Sequence, residues 1–202
     1  MRSGAYLTVL IGLLATAMCG CASLSAKQAP PHAPISAPAN TKAQLAQNTR
    51  DNCYSLLYQL LSEEKDVSKI LIIKNESREL NRFIKQVSKT SGDAAGQLEQ
   101  FRKSDHSVVL DATLLPPGEF ATRDAIAHTK TKALLGSSGN AFERALLITQ
   151  IEALNYAAHL AKVGAENDTD SGRIEYMQSL SQTMNRLYLE AVELLTAESR
   201  SH

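Results

Sequence analysis

The sequence predicts an all-α protein, a four-helix bundle with a short crossover helix. Apolar residues in the second and larger part of the chain recur at alternating steps of four and three, which lays one apolar seam along each helix and suits shallow-angle packing. Four such seams can be traced, the number a bundle requires. Between the second and third, Pro116 and Pro117 break the chain and a shorter helical segment follows, long enough to carry the chain across the bundle.

The first element lies outside this architecture. From Ala5 to Met18 the chain is largely apolar, about 14 residues, with Arg2 as its positive flank. A spanning helix needs about 20 apolar residues and the core of a secretion signal about 7 to 15, so the length favours export. Met18-Cys19-Gly20-Cys21 resembles a bacterial lipobox, in which the signal is cut before a cysteine whose thiol already carries lipid. Residues 1–20 are then the signal peptide, and Cys21 is the lipidation site and first mature residue. A plain secretion signal and an uncleaved anchor would use the same apolar run. A metal clip on Cys19 and Cys21 lacks further ligands, since only His32 follows within thirty residues. Ala22 stands where an aspartate, in well-studied envelope sorting, retains lipoproteins at the inner membrane. The expected location is therefore the cell envelope, at the outer membrane and facing the periplasm.

Residues 21–48 crowd Pro30, Pro31, Pro34 and Pro38 among alanines and polar residues, a composition that cannot bury a core. We read them as a disordered tether, about 30 Å in reach. Residues 49–202 form the bundle domain, with chain enough for a core. The first seam runs Cys53, Leu57, Leu60, Glu64, Val67 and Leu71, the second Leu80, Ile84, Val87, Ser91, Ala94, Leu98 and Phe101. Glu119 to Leu135 is the crossover helix, closed by Gly136 to Gly139. The third seam is Phe142, Leu146, Thr149, Ala153, Tyr156, Leu160 and Val163, and the fourth Met177, Leu180, Met184, Leu187, Ala191 and Leu195. Asp51, Ser77 and Asp170 can cap the first, second and last long helices. Asn140 with Glu143 can form a capping box on the third, and Gly164 can end it.

"KDVSKILIIKNESRELNRFIKQVSKTSGDAAGQLEQF", "LPPGEFATRDAIAHTKTKALL" and "FERALLITQIEALNYAAHLAK" together resemble a bacterial family of exported ferritin-like four-helix bundles of unassigned function. The resemblance implies a ferritin-like topology over most of residues 51–195. Many relatives carry an Asp-His pair on the second helix where this chain has Thr90 and Ser91.

Formal net charge is zero, so no basic field exists, and there is no RNA-binding aromatic signature, so no nucleic-acid partner is expected; no glycine-rich phosphate loop occurs either. A dinuclear metal site in such a bundle needs inward carboxylates and Glu-x-x-His pairs, and the sequence has no Glu-x-x-His. The remaining metal candidates are Glu64, Glu152, His159, Asp124 and His128. Glu152 and His159 share a face, but seven residues is about 10.5 Å of helical rise, too far for one ion. Asp124 and His128 are four apart on the crossover helix, a legal two-ligand spacing on an exposed segment. Glu64 falls on the first seam; we expect the chain to bend at "SEEKD" and leave it in water. Cys53 is read as a buried, inert thiol, with a reactive or intermolecular thiol as the alternative, and no serine sits in a nucleophile elbow. No catalytic residue and no cofactor are implied. The function expected is a non-enzymatic, lipid-tethered bundle, its partners the membrane through the anchor and other envelope proteins. A metal or redox bundle with an atypical site, and a small-molecule binder, are the alternatives.

Overall fold

A computed structural model of the chain describes residues 41–72, 74, 76–111 and 115–200, all of them helix, turn or connecting segment, with no strand among the described residues. The helices are α1 (Lys42–Glu64), α2 (Arg78–Ser104), α3 (Pro117–Gly136), α4 (Gly139–Glu166) and α5 (Ser171–Arg200), with a 3₁₀ turn, Val67–Ile72, between the first two. The signal, Cys21 and most of the tether lie outside the described residues. Among those described, no helix is long and apolar enough to cross a membrane.

The directions of the helices follow from which residues meet. Arg50 of α1 donates to the Ser107 carbonyl beyond α2, whereas Ser88 of α2 bonds the Lys65 carbonyl just past α1, so this pair is antiparallel. Tyr54 reaches Asp168 and Glu64 reaches Gln150, which sets α1 antiparallel to α4. The Phe101 and Tyr176 rings meet edge to face at 5.3 Å and Asp105 binds Arg173, which sets α2 antiparallel to α5. α4 and α5, joined by a short loop, share the largest interface. In cross-section the ring therefore reads α1, α2, α5, α4, every neighbour antiparallel. α2 and α4 are diagonal and point the same way, so the chain must travel back along the bundle between them. α3 does this: its 20 residues span about 30 Å.

α2 and α5 follow the predicted seams closely. Leu80, Ile84, Val87, Ser91, Ala94 and Leu98 are buried, as are Met177, Leu180, Met184, Leu187 and Ala191. Ser77 caps α2, accepting from the Leu80 N–H at 3.3 Å, and the Asp170 carboxylate accepts from the Arg173 N–H at 2.8 Å at the start of α5. The other two long helices correct the sequence reading. α1 begins at Lys42, capped by Thr41 rather than Asp51, because Ala43, Gln44, Ala46 and Gln47 are good helix formers despite lacking an apolar seam. Residues 42–48 thus belong to the helix and not to the tether. α1 also ends earlier, at Glu64, as "SEEKD" predicts, and the seam resumes in the 3₁₀ turn.

On α4 the predicted Phe142, Leu146 and Leu160 are buried, and so is a neighbouring line, Leu147, Gln150, Leu154, Ala157, Ala161 and Gly164. Thr149, Ala153, Tyr156 and Val163 are half-buried. The cause is that α4 packs against α1, α3 and α5 at once, so its apolar face is broad. Gly164 does not end α4. A Cβ there would lie 3.0 Å from Met177 Cε, 3.4 Å from Tyr54 Cε2 and 3.5 Å from Cys53 Cβ, so a hydrogen is what lets α1 and α5 close on α4. Glu143 forms no capping box: its carboxylate accepts from the Ser77 N–H at 2.5 Å and the Ser77 hydroxyl at 2.9 Å, fastening α4 to the start of α2.

Candidate functional site

Two places are built around a carboxyl group drawn in from solvent, Asp168 fully and Glu64 in part. The first is the end of the bundle where α4 turns into α5. Asp168 is fully buried, and its Oδ2 accepts from the Tyr54 hydroxyl and Arg173 Nε, both at 2.8 Å. Its Oδ1 accepts from Arg173 Nη2 at 2.8 Å and from the Thr169 and Asp170 N–H groups at 2.7 and 3.0 Å. Arg173 also reaches Asp105 at 2.6 Å. Burial by itself would raise the Asp168 pKa, but the Arg173 bonds, the Asp170 N–H, the Tyr54 hydroxyl and the Thr169 N–H together hold it far below the usual carboxylate range. Its bond to Asp168 raises Arg173 in turn, while burial and the same carboxylate push Tyr54 up. An open groove of about 510 Å³ beside this node is lined in part by Gln97, Phe101, Ser104, Asp105 and Tyr176.

The second place is the contact of α1 with the middle of α4. Gln150 is 2% exposed and donates from Nε2 to Glu64 Oε2 at 3.0 Å. Its Oε1 is buried without a hydrogen-bond partner. Burial pushes the Glu64 pKa up to about 7, against the lowering by the Gln150 bond, and the Glu63 carboxylate adds to the rise. Glu64 is therefore half-buried rather than fully in water: the helix does stop beside it, yet Gln150 of α4 engages its carboxyl. Glu63 is itself pushed up by burial and by Asp124 of α3, against a bond from Gln59.

The remaining sequence candidates do not meet. Glu152 is exposed and ion-paired with Lys130 of α3. His159 is exposed and bonds through Nδ1 to the carbonyl of Asn155 in its own helix, at 2.9 Å. Asp124 and His128 are exposed on α3, as predicted for that helix. Among the described residues no three His, Cys, Asp or Glu side chains gather as a metal ion would need. Cys53 is buried, and burial lifts its thiol to about 11, far from the thiolate a nucleophile needs.

Asp168, Arg173, Tyr54 and Gln150 escaped the sequence reading. For the first two a signal existed: "DTDSGR" places two acids just before a helix and an arginine five residues after the first, in reach of it. Tyr54 and Gln150 gave none, being polar-tipped residues flanking seams drawn from apolar ones. Comparison of the chain with protein-family models, with curated proteins and with solved structures found no match.

Proposed function

We propose that the chain is a lipid-anchored cell-envelope protein, a bundle of ferritin-like topology with a non-enzymatic binding or accessory role. The observation that carries this reading is the Asp168 node. Buried ionisable groups with displaced pKa values are where chemistry is first sought. Here both carboxylate oxygens are saturated by donors that join the α4–α5 loop to α1 and α5, so the cluster acts as a fastening. The adjoining groove, with the Phe101 and Tyr176 rings beside Asp105, is a face that an envelope protein can occupy. The ring of antiparallel neighbours with one long crossover supports the ferritin-like topology. Met18-Cys19-Gly20-Cys21 supports attachment through Cys21, and Ala22 supports the outer membrane.

The test has two arms. Cys21→Ser should abolish fatty-acid labelling and release the chain from membranes, with Cys19→Ser nearly silent; unchanged partition would mean an uncleaved anchor. A photo-crosslinking residue at Ser104, exposed in the groove, should capture a discrete envelope protein that the same residue at Lys162 does not. Stoichiometric iron, manganese or zinc in protein purified without chelators would favour the metal alternative.

A further inference from the structure

The Glu64–Gln150 contact does not balance if Glu64 is a carboxylate. An ionised carboxyl only accepts, so Gln150 can give it Nε2–H while its own Oε1, buried between helices, receives nothing. Turning the amide over does not help, because Oε1 would then face a carboxylate oxygen and the N–H groups would lose their acceptor. A buried acceptor left unpaired loses its bond to water and gains nothing in return, which destabilises the fold. One added proton removes the fault: a carboxylic acid carries one donor and one acceptor, the complement of a primary amide.

The charges around the pair favour that proton. On α1, Glu63 is the neighbouring charge and is repulsive; from α3, Asp124 acts on Glu63 in the same sense. On α4, Glu152 is engaged by Lys130 of α3. The 3₁₀ turn and α2 contribute Ser68 and Ser88, which bond each other at 3.0 Å, with Ser88 also on the Lys65 carbonyl.

We propose that Glu64 is held as a neutral carboxylic acid, paired with Gln150 in a ring of two hydrogen bonds that latches α1 to α4 and opens when the proton is lost. In the closed latch the Glu64 O–H donates to Gln150 Oε1 and Gln150 Nε2–H donates to the other Glu64 oxygen. On opening, the Glu64 O–H bond breaks, the proton passes to bulk water, and the carboxylate keeps only the Nε2–H bond. The envelope outside the inner membrane takes the pH of the surroundings, so a chain placed there would feel the change directly.

Glu64→Gln decides the matter, since an amide reproduces both bonds of the neutral acid and carries no charge. In the full chain, infrared spectra should show the carbonyl band of a protonated carboxyl at pH 6, fading above about pH 7 and missing in E64Q. Because the folded pKa is raised, the native state holds the extra proton from the unfolded pKa up to about 7, and stability falls across that window. The folding equilibrium constant of E64Q should accordingly gain on that of the natural chain by on the order of a hundredfold between pH 5 and 8. Absence of the band at pH 6 would overturn the proposal. So would an E64Q chain that is less stable at pH 8 or fails to fold, since either would mean that the negative charge itself is needed.

Discussion

Asp168 is a carboxyl group wholly withdrawn from water at the loop end of the bundle, Glu64 a half-buried one beside the middle of α4, and their surroundings move their proton affinities in opposite directions. Asp168 has five hydrogen bonds, two of them from backbone N–H groups and two from a guanidinium. Glu64 has an amide on one side and Glu63 on the other. Burial raises both; what differs is the number of donors that arrive with it. A buried carboxylate is a strong joint when every lone pair is met by a donor, and a proton acceptor when it is not.

Removing the charge from each in turn sharpens the contrast. Asp168→Asn takes from buried Arg173 the carboxylate that binds it twice, leaving only Asp105, and should cost about 3 kcal/mol by urea denaturation at neutral pH. The depressed pKa gives the sign of the pH effect. Stability contributed by Asp168 is present above its unfolded pKa of about 4 and is lost as pH falls below it toward the folded value, so the variant should lack that part of the acid-induced loss. Glu64→Gln should alter only the window above, in the opposite sense.

The apolar packing that carries both sites sets the next scale. Leu146→Ala, at a residue 1% exposed, should cost about 2 to 5 kcal/mol, whereas Lys162→Ala on the solvent face of the same helix should stay within about 0.5 kcal/mol. Equal losses would mean that α4 does not present the face described.

Two glycines give the smallest effects and differ in sign. Gly164→Ala must push on Met177, Tyr54 and Cys53 where three helices converge, and overpacking should outweigh the gain in helix propensity, a net loss of up to about 2 kcal/mol. Gly96, exposed within α2, has nothing within 4 Å of an added Cβ, so Gly96→Ala should gain about 0.5 to 1 kcal/mol. Thermal denaturation of the pair separates close helix approach from ordinary helix propensity.

These contrasts also show what the amino-acid order could convey. The seams of α2 and α5 were legible because each of those helices turns one stripe inward and the rest to water. α4 was legible as a helix, but only Phe142, Leu146 and Leu160 of its predicted seam are buried and a neighbouring line is buried with them, since contact on three sides blurs a stripe into a band. Glu64 stood out as an acid in an apolar seam, and the stop at "SEEKD" was read correctly. That α4 nevertheless engages its carboxyl depends on Gln150, a residue 86 positions away whose importance no local spacing encodes. Of the Asp168 node, the local Asp168–Arg173 pair had a signal in "DTDSGR", but Tyr54 and Asp105 join it only through the bundle's topology.

None of the described side chains of α3 is buried, and Ile126 and Leu135 remain 48% and 46% exposed. Arg123 holds it to the Tyr156 hydroxyl at 2.6 Å, Lys130 to Glu152, and Lys74 grips its far end through the Leu135 and Ser137 carbonyls at 2.9 and 2.7 Å. A helix fixed by a few polar bonds and almost no apolar area opens at a small fraction of the free energy that unfolds its neighbours. In hydrogen exchange its amides should therefore trade deuterium as a block long before those of α4 and α5, and a protease acting on the folded chain should cut there first. The crossover would thus behave as an independent cooperative unit, free to melt and re-form while the four long helices stay assembled.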